Sequence, residues 1–89
     1  TRTAALEHAP DNIRINAIVP GAIDTPMLRN GSQRFSDPEA ALQRSRARHP
    51  LGRFGTAEEL AACIVFLLSD EAGFMTGAEL VVDGGWSIA

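Results

Sequence analysis

The chain has 89 residues, 45 % of them apolar and 21 % charged, a balance typical of globular chains and too hydrophobic for a disordered tail. Its net charge of −3 gives no electrostatic reason to expect nucleic acid or a membrane surface as partner. A single cysteine and two histidines exclude a disulfide-stapled scaffold and leave no thiolate–imidazole set for a metal such as zinc.

The longest apolar run, Leu60–Leu68, is well short of the ~18–20 residues that a membrane span needs. No basic segment near Thr1 leads into an apolar one, so the expected location is cytoplasmic. All eight basic residues are arginine, and neither lysine nor tyrosine occurs. Chemistry that needs a phenol, or an ammonium able to lose its proton, has to come from elsewhere.

In chain order, 1–8 reads as the tail of a helix that stops at Ala9-Pro10-Asp11-Asn12, because the residue before a proline is driven out of helical space. At 13–19 the alternation of IRINAIV predicts a mostly buried strand. Pro20-Gly21 ends it. A long loop is expected over 20–55, with Asn30-Gly31 as a turn signal. Within that loop a helix is expected from Pro38 to about Arg48. Asp37 can cap it, and Ser36 with Glu39 spells a possible capping box.

Thr56 and Glu59 spell a second capping box and open a helix over 57–69. Its Leu60–Leu68 stretch is apolar on every side and needs cover on more than one face. A last strand is expected at 79–83, before Gly84-Gly85. Strand, helix and strand with nearly continuous apolar strands signal a parallel sheet covered on both faces. Two strands are too few for an independent sheet. The expected fold is therefore α/β, the C-terminal part of a doubly wound parallel-sheet (Rossmann-type) domain.

In such sheets ligands bind beyond the carboxyl ends of the strands, which singles out the segment after Val19. There the run from Arg14 to Pro26 (RINAIVPGAIDTP) resembles the segment that follows the catalytic residues in short-chain dehydrogenases/reductases. Pro50–Glu59 (PLGRFGTAEE) is similar to the loop and helix start after that family's substrate segment, and Met75–Trp86 to its final strand and tail. Thr1–Glu7 resembles the end of the helix that carries the family's catalytic Tyr-x-x-x-Lys.

The resemblance implies an NAD- or NADP-dependent oxidoreductase that interconverts an alcohol and a ketone or aldehyde. It implies cofactor contacts at Pro20, Gly21, Ile23 and Thr25, with the Ile23 backbone against the nicotinamide carboxamide. The variable segment from Met27 to about Arg53 would form the substrate lid, with Met27, Leu28 and Phe35 as apolar substrate contacts. The family's glycine-rich loop and catalytic Asn, Ser, Tyr and Lys precede the segment matched here. No catalytic residue is therefore assigned to this chain, and alone it is expected to be inactive and unstable as a monomer. A homodimer or homotetramer built through Leu60–Leu68 and the last strand is expected. The alternative is a non-catalytic truncated fragment that acts only in oligomerisation.

Plainer roles are expected elsewhere. Met27, Leu28 and Phe35 could equally pack locally, Cys63 reads as core, and Asn16 as a strand residue pairing with nearby backbone. His8 and His49 read as solvated, Arg44 and Arg48 as a solvated helix face, Asp83 as support for the following glycine turn, and Trp86 as packed against a neighbour.

Overall fold

The computed structural model describes Thr1–Ala89. Its centre is a two-stranded parallel sheet, β1 (Ala17–Pro20) beside β2 (Glu79–Val82), with Ala17 opposite Glu79 and Pro20 opposite Val82. Helix α1 (Arg2–His8) precedes the sheet, and α2 (Pro26–Ser32), α3 (Pro38–Ala47) and α4 (Ala57–Leu68) occupy the crossover. No helix is long and apolar enough to cross a membrane.

β1 is shorter than the alternation of 13–19 predicts, and it begins later. Residues 13–16 face a loop, not a strand. The Ile15 amide donates to Thr76 Oγ1 at 3.2 Å, and the Gly77 amide donates to the Ile15 carbonyl at 2.8 Å. Arg14 reaches the Ser69 and Met75 carbonyls. Asn16 clamps the same turn, donating to the Met75 carbonyl and accepting from the Ala78 amide, both at 3.0 Å. The ladder starts only where β2 provides a matching backbone. At the other end of the crossover, β2 stops at Val82, one residue before the expected limit. Asp83 instead opens a turn, its carboxylate accepting from the Gly85 and Ser87 amides. Hydrogen bonds from Ser87, and the Gly85 amide, hold the Asp83 carboxyl below its ordinary pKa.

Helix α2 lies where a loop is expected, and Asn30-Gly31 is inside it rather than in a turn. Thr25 caps it by accepting from the Leu28 amide at 3.2 Å, and Pro26 occupies its first turn. With seven residues it is too short to display a helical period. In α3 the cap is Asp37, which accepts from the Ala40 amide at 3.2 Å. The Ser36–Glu39 box is therefore out of register. Thr56 and Glu59 form their box in full, with reciprocal bonds of 3.0 Å, and α4 ends at Leu68 with Ser69 as its C-cap.

The interior is thin. Seven of 89 residues are buried, among them Ala5, Leu42, Phe54, Leu67 and Ala72. The radius of gyration is 16.2 Å, against about 12 Å for a compact chain of this length. Along α4 only Leu67 is buried, while Val65 and Leu68 are 65 % and 78 % exposed. Cys63 is half-buried.

Candidate functional site

The carboxyl ends of the two strands meet at Gly21, whose amide donates to the Val82 carbonyl at 3.0 Å. A Cβ at this position would fall 2.9 Å from both Asp83 Cα and His49 Nε2. Two neighbours thus leave room for glycine only, and the backbone runs close beneath whatever lies above the strand ends.

His49 is the residue around which this corner is built. It is 4 % exposed, not solvated as the sequence suggests. Its Nδ1 lies 2.9 Å from the Ser45 carbonyl, and its Nε2 accepts from the Ala22 amide at 3.2 Å. Together these bonds require the neutral imidazole with its proton on Nδ1. Phe54 meets the ring edge-on with centroids 6.3 Å apart, and Trp86, half-exposed, lies 5.8 Å away on a tilt. His49 had no local signal. Its partner Ala22 is 27 positions away and contributes only backbone.

Beyond Ala22 the chain forms an isolated parallel bridge between Ile23 and Gly55. Gly55 uses both of its polar backbone groups in it. Its amide donates to the Ala22 carbonyl at 3.0 Å, and its carbonyl accepts from the Asp24 amide at 2.8 Å. In a parallel bridge the opposing residue's own N–H and C=O point to the other side. Those of Ile23 meet no partner in the chain. A Cβ at Gly55 would lie 2.8 Å from Ile23 Cδ1, the end of a side chain that can swing aside, so glycine is less strictly required there than at Gly21.

The segment then turns into α2. Asp24 is held by a two-pronged pair with Arg29, at 2.8 and 2.9 Å, and hydrogen bonding from Arg29 lowers its carboxyl pKa. Thr25 Oγ1 accepts from Leu28, which leaves its hydroxyl proton free to donate.

An open cavity of about 580 Å³ lies against this segment. Gly21, Ile23 and Thr25 line it together with Met27, Leu28 and Phe35, whereas Pro20 does not. The far wall comes from α3 and the stretch before it. Arg34, Arg44 and Arg48 line that wall, so the helix face that reads as merely solvated borders the cavity.

Comparison with known proteins follows the same outline. The sequence profile described as enoyl-(acyl carrier protein) reductase matches residues 1–87. Dehydrogenase/reductase SDR family member 6 of Xenopus laevis is 47 % identical over 88 residues, which is 99 % of this chain and 36 % of that protein. The 3-oxoacyl-[acyl-carrier-protein] reductase of Thermotoga maritima is 47 % identical over 85 residues, 96 % of this chain and 32 % of that protein. Among solved structures, a short-chain dehydrogenase family protein from Francisella tularensis superposes with a TM-score of 0.94 at 34 % identity, covering 100 % of this chain and 39 % of the other. Thermoplasma acidophilum aldohexose dehydrogenase gives 0.91 at 40 % identity, covering 100 % and 36 %. The chain thus spans about a third of the relatives it matches, in their C-terminal part. It belongs to the short-chain dehydrogenase/reductase family, and its two strands and crossover helices are part of a Rossmann-type fold.

Proposed function

We propose that this chain is the C-terminal part of a nicotinamide-dependent oxidoreductase that interconverts an alcohol and a ketone or aldehyde. It would provide the turn that closes over the nicotinamide, the substrate lid and part of a homo-oligomer interface. One observation carries the reading. At the carboxyl end of a parallel strand, Ile23 offers an unpaired N–H and an unpaired C=O beside a cavity. A carboxamide needs that donor and acceptor pair, and Gly21, with no room for a Cβ against Asp83 and His49, sets the path of the turn that presents them.

Bound NAD or NADP supplies the hydride acceptor or donor. The chain's own residues then hold and orient. The Ile23 N–H and C=O would hold the carboxamide, one as donor and the other as acceptor. The Thr25 hydroxyl, which lines the same cavity and keeps its proton free, would add a second donor. Pro20, one residue before Gly21, fixes the path of the turn from beneath. Met27, Leu28 and Phe35 supply apolar wall for the substrate and help exclude water. The chain contains no tyrosine or lysine, so proton transfer to the carbonyl oxygen falls to groups outside these residues. The exposed face of α4 and the free edge of β2 would be covered by a second copy, giving a homodimer or homotetramer.

The test is cofactor binding by the full-length protein, with Gly21→Ala as the probe. Its Cβ would collide with Asp83 and His49 and displace the turn. NAD(P)H affinity should fall at least about tenfold, the equivalent of one lost hydrogen bond, while circular dichroism stays unchanged. Wild-type protein that binds neither NADH nor NADPH, or a variant with unaltered affinity, contradicts the reading.

A further inference from the structure

The arginines divide into two groups by what they touch. Arg14 donates to two backbone carbonyls, and Arg29, Arg46 and Arg53 each pair with a carboxylate within 2.8 Å. Arg2 lies on α1 and does not line the cavity. The other three, Arg34, Arg44 and Arg48, line the cavity and have no carboxylate partner. Arg34 makes one hydrogen bond, to the Gly31 carbonyl, and Arg44 and Arg48 make none with their side chains. No Asp or Glu lines the cavity, although the chain as a whole has eleven acidic residues against eight basic ones.

Local helix energetics account for only part of this. Cations near the carboxyl end of α3 are favoured by its dipole. Arg46 shares that advantage and still takes Glu39 as partner, with its guanidinium 5.4 Å from the centre of the Phe54 ring. Arg44 and Arg48 sit four positions apart, where like charges repel, and Arg34 reaches the same cavity from outside the helix. Positive charge drawn from two segments toward one concave space, with no compensating acid, is the arrangement that recognises an anion. A guanidinium keeps its charge at any working pH and grips a carboxylate or phosphate by paired hydrogen bonds.

We propose that the substrate of this cavity carries an anionic group, a carboxylate or a phosphate, held by Arg34, Arg44 and Arg48. Its uncharged part lies toward Met27, Leu28 and Phe35, and its reacting carbon toward the Gly21–Ile23 turn. The inference rests on the reading above that the cavity takes the oxidoreductase's substrate.

The experiment uses the full-length protein with saturating NAD(P). It compares kcat/KM for hydroxy acids with kcat/KM for their methyl esters on the same carbon skeletons, and adds the matching phosphorylated alcohols. The anion should be preferred over its neutral counterpart by at least about tenfold, the scale of one charge-assisted hydrogen bond. In the Arg44→Gln/Arg48→Gln double variant the ratio should fall to near parity through loss on the anion alone. Whether the acid or the phosphate is the better substrate identifies the group. Equal use of acids, phosphates and esters by the wild type, or a ratio unchanged in the variant, overturns the inference. So does a variant whose loss lies wholly in NAD(P)H affinity, since the arginines would then serve the cofactor's phosphates. Failure of the wild type to bind NAD(P)H at all refutes the functional reading itself.

Discussion

The Ala22 amide donates to His49 Nε2 across 3.2 Å, and the same ring is anchored through Nδ1 to the Ser45 carbonyl at 2.9 Å. A single side chain thereby fixes the last turn of α3, the wall that bears Arg44, to the turn after β1. The imidazole suits this task because its neutral form is donor and acceptor at opposite ends of a rigid plane. Helix α3 and the turn after β1 cannot shift independently while both bonds persist.

His49→Phe keeps a flat ring, somewhat larger than imidazole, and loses both bonds. It leaves the partly buried Ala22 N–H without an acceptor, at a cost of about 1–3 kcal/mol. His49→Gln retains an acceptor near the Nε2 position and should recover a good part of that loss. Urea unfolding of the full-length protein gives the stability of each variant, and fluorescence titration gives NAD(P)H affinity. The expected order in both is wild type, Gln, Phe. A Phe variant that matches wild type, with Gln below it, would show that the ring matters for packing alone.

The start of α4 combines a capping box with an ion pair. Arg53 holds Glu59 through two bonds of 2.7 and 2.9 Å, while Thr56 and Glu59 satisfy each other's amides. Thr56→Ala should destabilise the protein by about 1 kcal/mol, the usual cost of a lost N-cap, read as a lower urea midpoint with unchanged slope.

Hydrogen bonds from Arg53, and then the Thr56 amide, lower the Glu59 pKa from 4.5 to about 2. A carboxyl lowered on folding stabilises the native state above its ordinary pKa, and that contribution is lost as the pH falls through the folded value. The loss should therefore run from about 4.5 down to about 2. Carboxyl NMR titration should place Glu59 near the lower figure, and Arg53→Gln should raise it. A Glu59 that titrates identically in both proteins would contradict the ion pair.

Val65, two-thirds exposed on α4, is the place to test assembly. Val65→Glu puts a charge into the apolar face that a second copy would cover, where an unpaired buried charge is strongly disfavoured. Light scattering should report a smaller particle than wild type, with helicity retained. An unchanged mass in a folded variant would place the interface elsewhere.

Legibility in the sequence followed the range of the forces involved. The Thr56–Glu59 box could be anticipated because its partners lie three positions apart, whereas Asn16 pairs with backbone as expected but with distant Met75 and Ala78 rather than within its own strand. Strand 13–19 was overlong because alternation marks faces, whereas a ladder also needs a partner, and Arg14–Asn16 bond to the Met75–Gly77 turn instead. Helix α2 was hidden because Asn30-Gly31 commonly marks a turn, yet a capped and proline-primed segment carried through it. Family resemblance pointed to Gly21 and Ile23 as cofactor contacts, the role proposed for them above. The roles of His49 and Gly55 were not legible, since each acts on backbone brought close only by the crossover.

Hydrogen exchange at the Ile23 amide, followed by NMR on the full-length protein, most directly tests the claim that this turn receives the nicotinamide carboxamide. Without cofactor the Ile23 N–H has no partner and should exchange rapidly. Saturating NAD(P)H should slow it at least about tenfold, as expected for a newly made hydrogen bond, with less change at Asp24, whose amide is already bonded to Gly55. Slowing confined to Ile23 and its immediate neighbours is the predicted result. An Ile23 amide that exchanges equally fast with and without bound cofactor contradicts it.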